Sequence, residues 1–191
     1  MWNGINAVAR TNALNVREEV KYQVKRLRHH KSIVLWCGNN EIDEAFKNWG
    51  WQKSMKMSKQ DSTKLWKDYV RLFQDSIPKW VKEVDPTRPY VSSSPLFGWG
   101  RQKSITEGDS HYWGTWWGLE DIEVVQKKTG RFVSEYGMQA MPNYSTTKKI
   151  TLEEDRHLYS DVLKAHQKAG NGFTKLNSYL HRYFKDTTNV K

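Results

Sequence analysis

Two glutamates, Glu41 and Glu135, each follow a short apolar run, and they lie 135 − 41 = 94 residues apart. Paired carboxyl groups are what glycoside hydrolysis requires, because one carboxylic acid protonates the leaving oxygen while the other carboxylate attacks the anomeric carbon or activates water. Two carboxylates at the same rim of a parallel sheet could face each other in this way. The pattern alone also fits two unrelated surface glutamates, since the chain contains 21 acidic residues.

The residues before Glu41 indicate a helix followed by a strand. Asn15, with Glu18 three residues later, predicts a capped helix start. The helix is expected to run to about His30, because apolar residues recur every three or four positions at Val16, Val20, Val24 and Leu27. The run from Ser32 to Trp36 is apolar and β-branched, which predicts a buried strand ending just before the glutamate.

The rest of the chain continues this alternation of helices and strands. A helix is predicted from Asp61 to Val84, interrupted at Pro78. The other predicted elements are strands at Tyr90–Ser93, Gly108–Trp113 and Arg131–Ser134, and helices at Leu119–Lys128, Leu152–Ala169 and Phe173–Phe184. The pattern predicts an α/β fold with a parallel sheet, whose active site would lie at the carboxyl ends of the strands. A doubly wound sheet also fits, although no Gly-x-Gly-x-x-Gly or Walker loop follows a strand.

Composition narrows the classes of function. The 191 residues include one cysteine, so neither a disulfide framework nor a multi-cysteine metal cluster is expected. Cys37 is expected to be a small buried residue rather than a nucleophile. The net charge of +10 permits binding to nucleic acid or an anionic glycan, but the basic residues are spread along helical stretches, so a solvated basic surface is favoured and no nucleic-acid partner is expected. No window approaches 18 uninterrupted apolar residues, so no membrane-spanning helix is predicted.

Local motifs around both glutamates resemble those of β-mannosidases in glycoside hydrolase family 2. The segment Val24–Glu41, which ends in Trp-Cys-Gly-Asn-Asn-Glu, resembles the acid/base segment of that family. The segment Arg131–Gln139, containing Ser-Glu-Tyr-Gly, resembles its nucleophile segment. Between them, Asp85–Pro95 looks like the fifth-strand region and Gly108–Trp113 like the sixth-strand motif.

The resemblance implies a (β/α)8 TIM barrel that hydrolyses with retention of anomeric configuration. It implies that Glu41 is the acid/base after strand four and that Glu135 is the nucleophile after strand seven. Asn40 would hydrogen-bond the 2-hydroxyl of the sugar, and His111 and Trp113 would lie near the bound sugar after strand six. The resemblance implies no metal ion and no organic cofactor.

The resemblance covers only part of such an enzyme. Residues 1–191 are expected to be a fragment of the catalytic domain that holds strands four to seven, without strands one to three, strand eight or the β-sandwich domains. The implied substrate is a β-mannoside or mannose-containing oligosaccharide with a terminal β-D-mannosyl residue. A chain with open sheet edges is expected to self-associate and to be a weak or inactive catalyst. The alternatives are an endo-β-mannosidase, an exo-β-glucosaminidase, or a non-catalytic basic protein that binds RNA or a glycan.

Overall fold

The computed structural model describes residues 2–184 of the chain, with side chains described for residues 12–184. These residues are rich in helices and form two small sheets. The chain divides into two compact units. Among the described residues, the first consists of residues 2–111 and 130–134, and the second consists of residues 112–129 and 135–184.

The first unit is built on helices around an apolar core. Its helices are α1 (Trp2–Leu27), α2 (Ile42–Asn48), α3 (Trp51–Ser54), α4 (Lys59–Tyr69), α5 (Ile77–Val84) and α6 (Lys103–Thr106). Val24 of α1 packs against Ile77 and Val81 of α5, and all three side chains are buried. The predicted amphipathic face of α1 therefore does face the core.

Two details of the predicted helices differ in the structure. Asn15 lies inside α1 and caps nothing, because the helix already begins at Trp2, and α1 ends at Leu27 rather than near His30. The chain stays helical through Pro78, so the expected interruption does not fall at the proline. The hydrogen-bond pattern changes before it: a π-helical segment, Val70–Ser76, separates α4 from α5, and Pro78 lies in the first turn of α5.

The first sheet pairs β1 (Trp36–Cys37) with β2 (Tyr90–Val91) in parallel, with Trp36 opposite Tyr90. The predicted strand thus begins four residues later than Ser32, and the preceding Val34 is 58% exposed instead of buried. Cys37 is also exposed, which corrects the expectation of a buried residue. The short apolar run does not build a long buried strand because only its last residue, Trp36, belongs to the ladder.

The second sheet pairs β3 (Ser110–Tyr112) with β4 (Val133–Tyr136). The second unit has four helices among the described residues, α7 (Val125–Lys128), α8 (Tyr144–Ile150), α9 (Asp161–His166) and α10 (Gly172–Tyr183). The last of these matches the predicted helix closely, whereas α7 and α9 are each shorter than predicted and follow a single 3-10 turn.

Packing in the second unit is organised by polar groups of α10. The buried Tyr179 hydroxyl accepts a hydrogen bond from the backbone N–H of Trp116 at 2.8 Å and donates to the carbonyl of Glu120 at 2.8 Å. The buried Lys175 ammonium donates to the carbonyl of Trp116 at 3.0 Å. These bonds satisfy backbone groups of an irregular loop that no strand or helix could pair.

None of the helices in the described part of the chain is long and apolar enough to cross a membrane.

Candidate active site

Glu41 is positioned by a continuation of the first sheet. Beyond β1 and β2, the N–H of Ser94 donates to the carbonyl of Asn39 at 2.9 Å, and the N–H of Glu41 donates to the carbonyl of Ser94 at 2.8 Å. Asn40 and Ser94 form an isolated parallel bridge at the same place. Glu41 therefore lies at the carboxyl end of a parallel pair, as the sequence predicted.

The backbone of Glu41 is in the left-handed region, with φ of +61° and ψ of +3°, directly before α2. A residue with a Cβ in this region costs about 1–2 kcal/mol relative to ordinary backbone. Asn39 holds the turn: its side-chain oxygen accepts from the N–H of Ile42 at 3.1 Å, and its side-chain nitrogen donates to the carbonyl of Ser92 at 2.7 Å. Strain of this kind concentrates at functional sites.

Asn39 was not among the residues singled out from sequence. Its residue type and its position just after a predicted strand could have identified it. An asparagine at such a position commonly accepts a hydrogen bond from the backbone two or three residues further along. Its side-chain oxygen also accepts from the hydroxyl of Ser93 at 3.0 Å, and Ser93 is fully buried. Asn39 thus ties both strand ends to the start of α2.

The side chain of Glu41 meets His111. The Nδ1 atom of His111 lies 2.8 Å from Oε1 of Glu41, and the histidine is buried with 2% of its surface exposed. Its Nε2 atom lies 3.0 Å from the hydroxyl oxygen of Ser94. The structure thus brings together two residues that the sequence places 70 positions apart.

Behind His111 lies a second carboxylate, Asp109, that sequence analysis did not single out. It accepts hydrogen bonds from the hydroxyls of Ser94 and Ser134, the latter at 2.6 Å. Asp109 precedes β3, Ser134 belongs to β4, and Ser94 follows β2. Hydroxyls from two other segments thus bind one buried carboxylate, so this network connects the ends of both sheets within the first unit.

In the second unit, Glu135 lies in β4 and is half-buried. The indole Nε1 of Trp113 donates to its Oε1 at 2.9 Å. An indole N–H can only donate, so this bond holds one oxygen of the carboxylate in a fixed direction. The structure therefore brings Trp113 and Glu135 together, as it does His111 and Glu41 in the first unit.

A charged cluster stabilises the chain next to Trp113. The hydroxyl of Tyr112 donates to Glu120 at 2.5 Å, and the ammonium of Lys128 donates to the same carboxylate at 2.6 Å. These two bonds hold the pKa of Glu120 below its ordinary value. Burial, with the hydrogen bond to Glu120, raises the pKa of Tyr112, so the phenol stays protonated and remains a donor.

Asn40 is exposed beside Glu41 in the first unit, so its side chain can be reached by a ligand.

Cys37, at the end of β1, is not an activated nucleophile. The residue as a whole is exposed. The surrounding protein nevertheless partly desolvates its thiol, and this desolvation, with the nearby Asp109 carboxylate, raises the pKa of the thiol and disfavours the reactive thiolate.

Comparisons with known proteins point to one kind of enzyme. No family model matches the chain. Rat β-mannosidase is 33% identical over 184 residues, which cover 90% of this chain and 20% of that protein. Bovine β-mannosidase is 36% identical over 183 residues with the same coverage, and β-mannosidase B of Emericella nidulans is 32% identical over 93% of this chain.

A solved structure agrees with the sequence relatives. The crystal structure of β-D-mannosidase from Dictyoglomus thermophilum superposes with a TM-score of 0.69 at 36% identity, over 93% of this chain and 21% of that one. The chain therefore spans about one fifth of the length of the proteins it matches. The chain is similar to β-mannosidases over nine tenths of its own length and corresponds to one segment of those longer proteins.

Proposed function

We propose that this chain is part of a retaining glycoside hydrolase that removes terminal β-D-mannosyl residues from β-mannosides. The observation that carries the proposal is the similarity to proteins named β-mannosidase over nine tenths of the chain. Residues 1–191 would then form part of a (β/α)8 barrel, with β1, β2, β3 and β4 as its strands four to seven.

Two glutamates carry the proposed reaction. Glu41, in its protonated form, donates a proton to the leaving oxygen while an oxygen of Glu135 attacks the anomeric carbon and displaces the leaving group. In the second step Glu41 accepts a proton from water, and the resulting hydroxide equivalent displaces Glu135 from the sugar. Retention requires the two carboxyl groups to lie about 5–5.5 Å apart, and that separation stays a prediction.

Neighbouring side chains support these roles. His111, at 2.8 Å from Oε1 of Glu41, keeps that carboxyl group from rotating. The indole of Trp113 does the same for Glu135 by donating to Oε1. Asn40 is exposed next to Glu41 and offers an amide to the 2-hydroxyl of the sugar, whose axial position distinguishes mannose from glucose. Orientation of this kind lowers the barrier by fixing reacting groups in advance.

The proposal is tested by trapping the glycosyl-enzyme. A 2-deoxy-2-fluoro-β-mannosyl fluoride should transfer its sugar to Glu135, releasing fluoride, and peptide mass spectrometry should locate the adduct there. Glu135→Gln should remove the adduct, and Glu41→Gln should retain it, because a fluoride leaving group needs little protonation. Glu107→Gln is the control and should retain the adduct, since Glu107 is an exposed glutamate of the first unit. An adduct on another residue would refute the assignment.

Turnover of aryl substrates separates this proposal from related activities. We expect slow hydrolysis of an aryl β-mannoside, because the chain spans about one fifth of the relatives' length. An aryl β-glucosaminide, assayed beside it, should react more slowly still. Faster turnover of the glucosaminide would favour an exo-β-glucosaminidase, and cleavage only within a mannan chain would favour an endo-β-mannosidase.

A further inference from the structure

Asp109 is a buried carboxylate that receives hydroxyl donors only. It is 2% exposed, and no lysine or arginine of the described residues pairs with it. Its Oδ2 accepts from the hydroxyls of Ser94 and Ser134, and its Oδ1 is buried without a hydrogen-bond partner among the residues that the structure describes. Burying a carboxylate with so few donors costs free energy. Each hydroxyl that can reach the carboxylate is therefore expected to keep its proton directed at it as a hydrogen bond.

This arrangement fixes the direction of the next hydrogen bond. A serine hydroxyl has one proton, and Ser94 directs that proton to Asp109. The oxygen of Ser94 can therefore only accept from the Nε2 atom of His111, which lies 3.0 Å away. A neutral His111 must then carry its proton on Nε2, and its Nδ1 lone pair faces Oε1 of Glu41 at 2.8 Å.

We propose that Asp109 and Ser94 are positioning residues that set the tautomer of His111 and, through it, the proton of Glu41. With Nε2–H committed to Ser94, one proton lies between Nδ1 and the Glu41 carboxyl group. This proton either makes Glu41 the glutamic acid or makes His111 the imidazolium. When the proton is on Glu41, it lies at Oε1, the oxygen that faces the histidine.

The tautomer of His111 is assigned from hydrogen-bond geometry alone. The proposed function enters only where this tautomer is given a role in placing the proton of Glu41. The network reaches Glu41 through residues from two separated segments, at position 94 and at positions 109 and 111. Asp109 makes no hydrogen bond to Glu41 among the described residues, so a replacement there reaches Glu41 through Ser94 and His111. This provides a test at a residue that never contacts the sugar.

The test is 15N NMR of the histidine rings in the whole chain, at a pH where His111 has one N–H. We expect the wild-type ring to carry its proton on Nε2. In Asp109→Asn the new amide NH2 can donate to the oxygen of Ser94, so the serine hydroxyl turns round and donates to Nε2. His111 should then switch to the Nδ1–H tautomer, and its two nitrogens should exchange their 15N chemical shifts.

Ser93→Ala is the matched control, because Ser93 is a buried serine next to Ser94 that bonds Asn39 instead. It should leave the His111 tautomer unchanged. A wild-type Nδ1–H tautomer would overturn the proposal without any variant, and so would an Asp109→Asn protein with a native 1H–15N spectrum and an unchanged tautomer. An adduct on a residue other than Glu135 would refute the proposed function but leave this measurement able to decide the positioning role.

Discussion

Replacing Glu44 with glutamine tests whether a buried carboxylate holds the loop beside the candidate acid/base. Glu44 lies in α2, three residues after Glu41, and is 6% exposed. Its Oε1 accepts from Nε of Arg101 at 2.9 Å and from Nη2 at 2.8 Å. Its Oε2 accepts from Asn48 at 3.0 Å and from the backbone N–H of Gly98 at 3.3 Å.

An amide cannot satisfy this set of donors in either orientation. If the amide oxygen faces Arg101, the amide NH2 group points at the donors of Asn48 and Gly98. If the amide is flipped, the NH2 group points at the guanidinium of Arg101. The buried Gly98 N–H would lose its acceptor at a cost of about 1–3 kcal/mol. Arg101 is partly exposed and can regain water, so losing the charge adds only about 0–1 kcal/mol. We expect Glu44→Gln to lower the free energy of unfolding by about 1–4 kcal/mol in total.

The assay is urea unfolding of the full chain, followed by circular dichroism and tryptophan fluorescence. With a slope of about 2 kcal/mol per molar urea, the midpoint should fall by about 0.5–2 M. Lys47→Ala is the control on the same helix, since its ion pair with Asp43 is half-exposed and should be worth less than about 0.5 kcal/mol. Equal midpoints for the two variants would show that the Glu44 contacts do not hold the loop.

Three further predictions concern the sheet, acid stability and association. Gly38→Ala should destabilise the chain by about 1–3 kcal/mol in urea titrations, because its Cβ would lie 2.7 Å from the carbonyl oxygen of Ser92 on the paired strand. Gly170→Ala, with nothing within 4 Å, should cost far less, and similar losses would contradict the strand-clash argument. Burial raises the pKa of Asp85, but hydrogen bonds from Trp36, Arg88 and Thr87 outweigh it and hold that pKa below its ordinary range. Thermal melts should therefore show stability falling as the pH drops below about 5, with a smaller loss in Asp85→Asn, and equal slopes would refute this. Light scattering should show a mass that rises with concentration, because in a two-stranded sheet each strand has an edge that can pair with another copy of the chain, and a constant monomer mass would refute self-association.

The helical parts of the fold were largely predictable where the apolar spacing was regular. The predicted face of α1 packs on α5, and α10 begins and ends within one residue of its predicted limits. Prediction was wrong where local signals competed with longer-range structure. Asn15 matches a cap pattern but lies inside a helix that begins earlier, and Ser32–Leu35 looks like a buried strand although no partner strand pairs with it.

Short elements were the least predictable. The helix α2 was missed, although it directly follows Glu41, because its seven residues are too few to show a clear apolar period. Its start depends on Asn39 and on the left-handed backbone of Glu41, which tertiary hydrogen bonds to the Ser92–Ser94 segment support. A pattern of neighbouring residues cannot predict hydrogen bonds to a segment more than 50 positions away.

The sequence by itself determined which residues could do chemistry. Strings of adjacent residues mark Glu41 and Glu135, and the likeness to β-mannosidases extends along nine tenths of the chain. Only the tertiary structure decided what surrounds Glu41, since Ser94, Asp109 and His111 meet it from positions 53 to 70 residues further along the chain. Propensity and periodicity act over a few residues, whereas these hydrogen bonds form only when packing brings separate strand ends together.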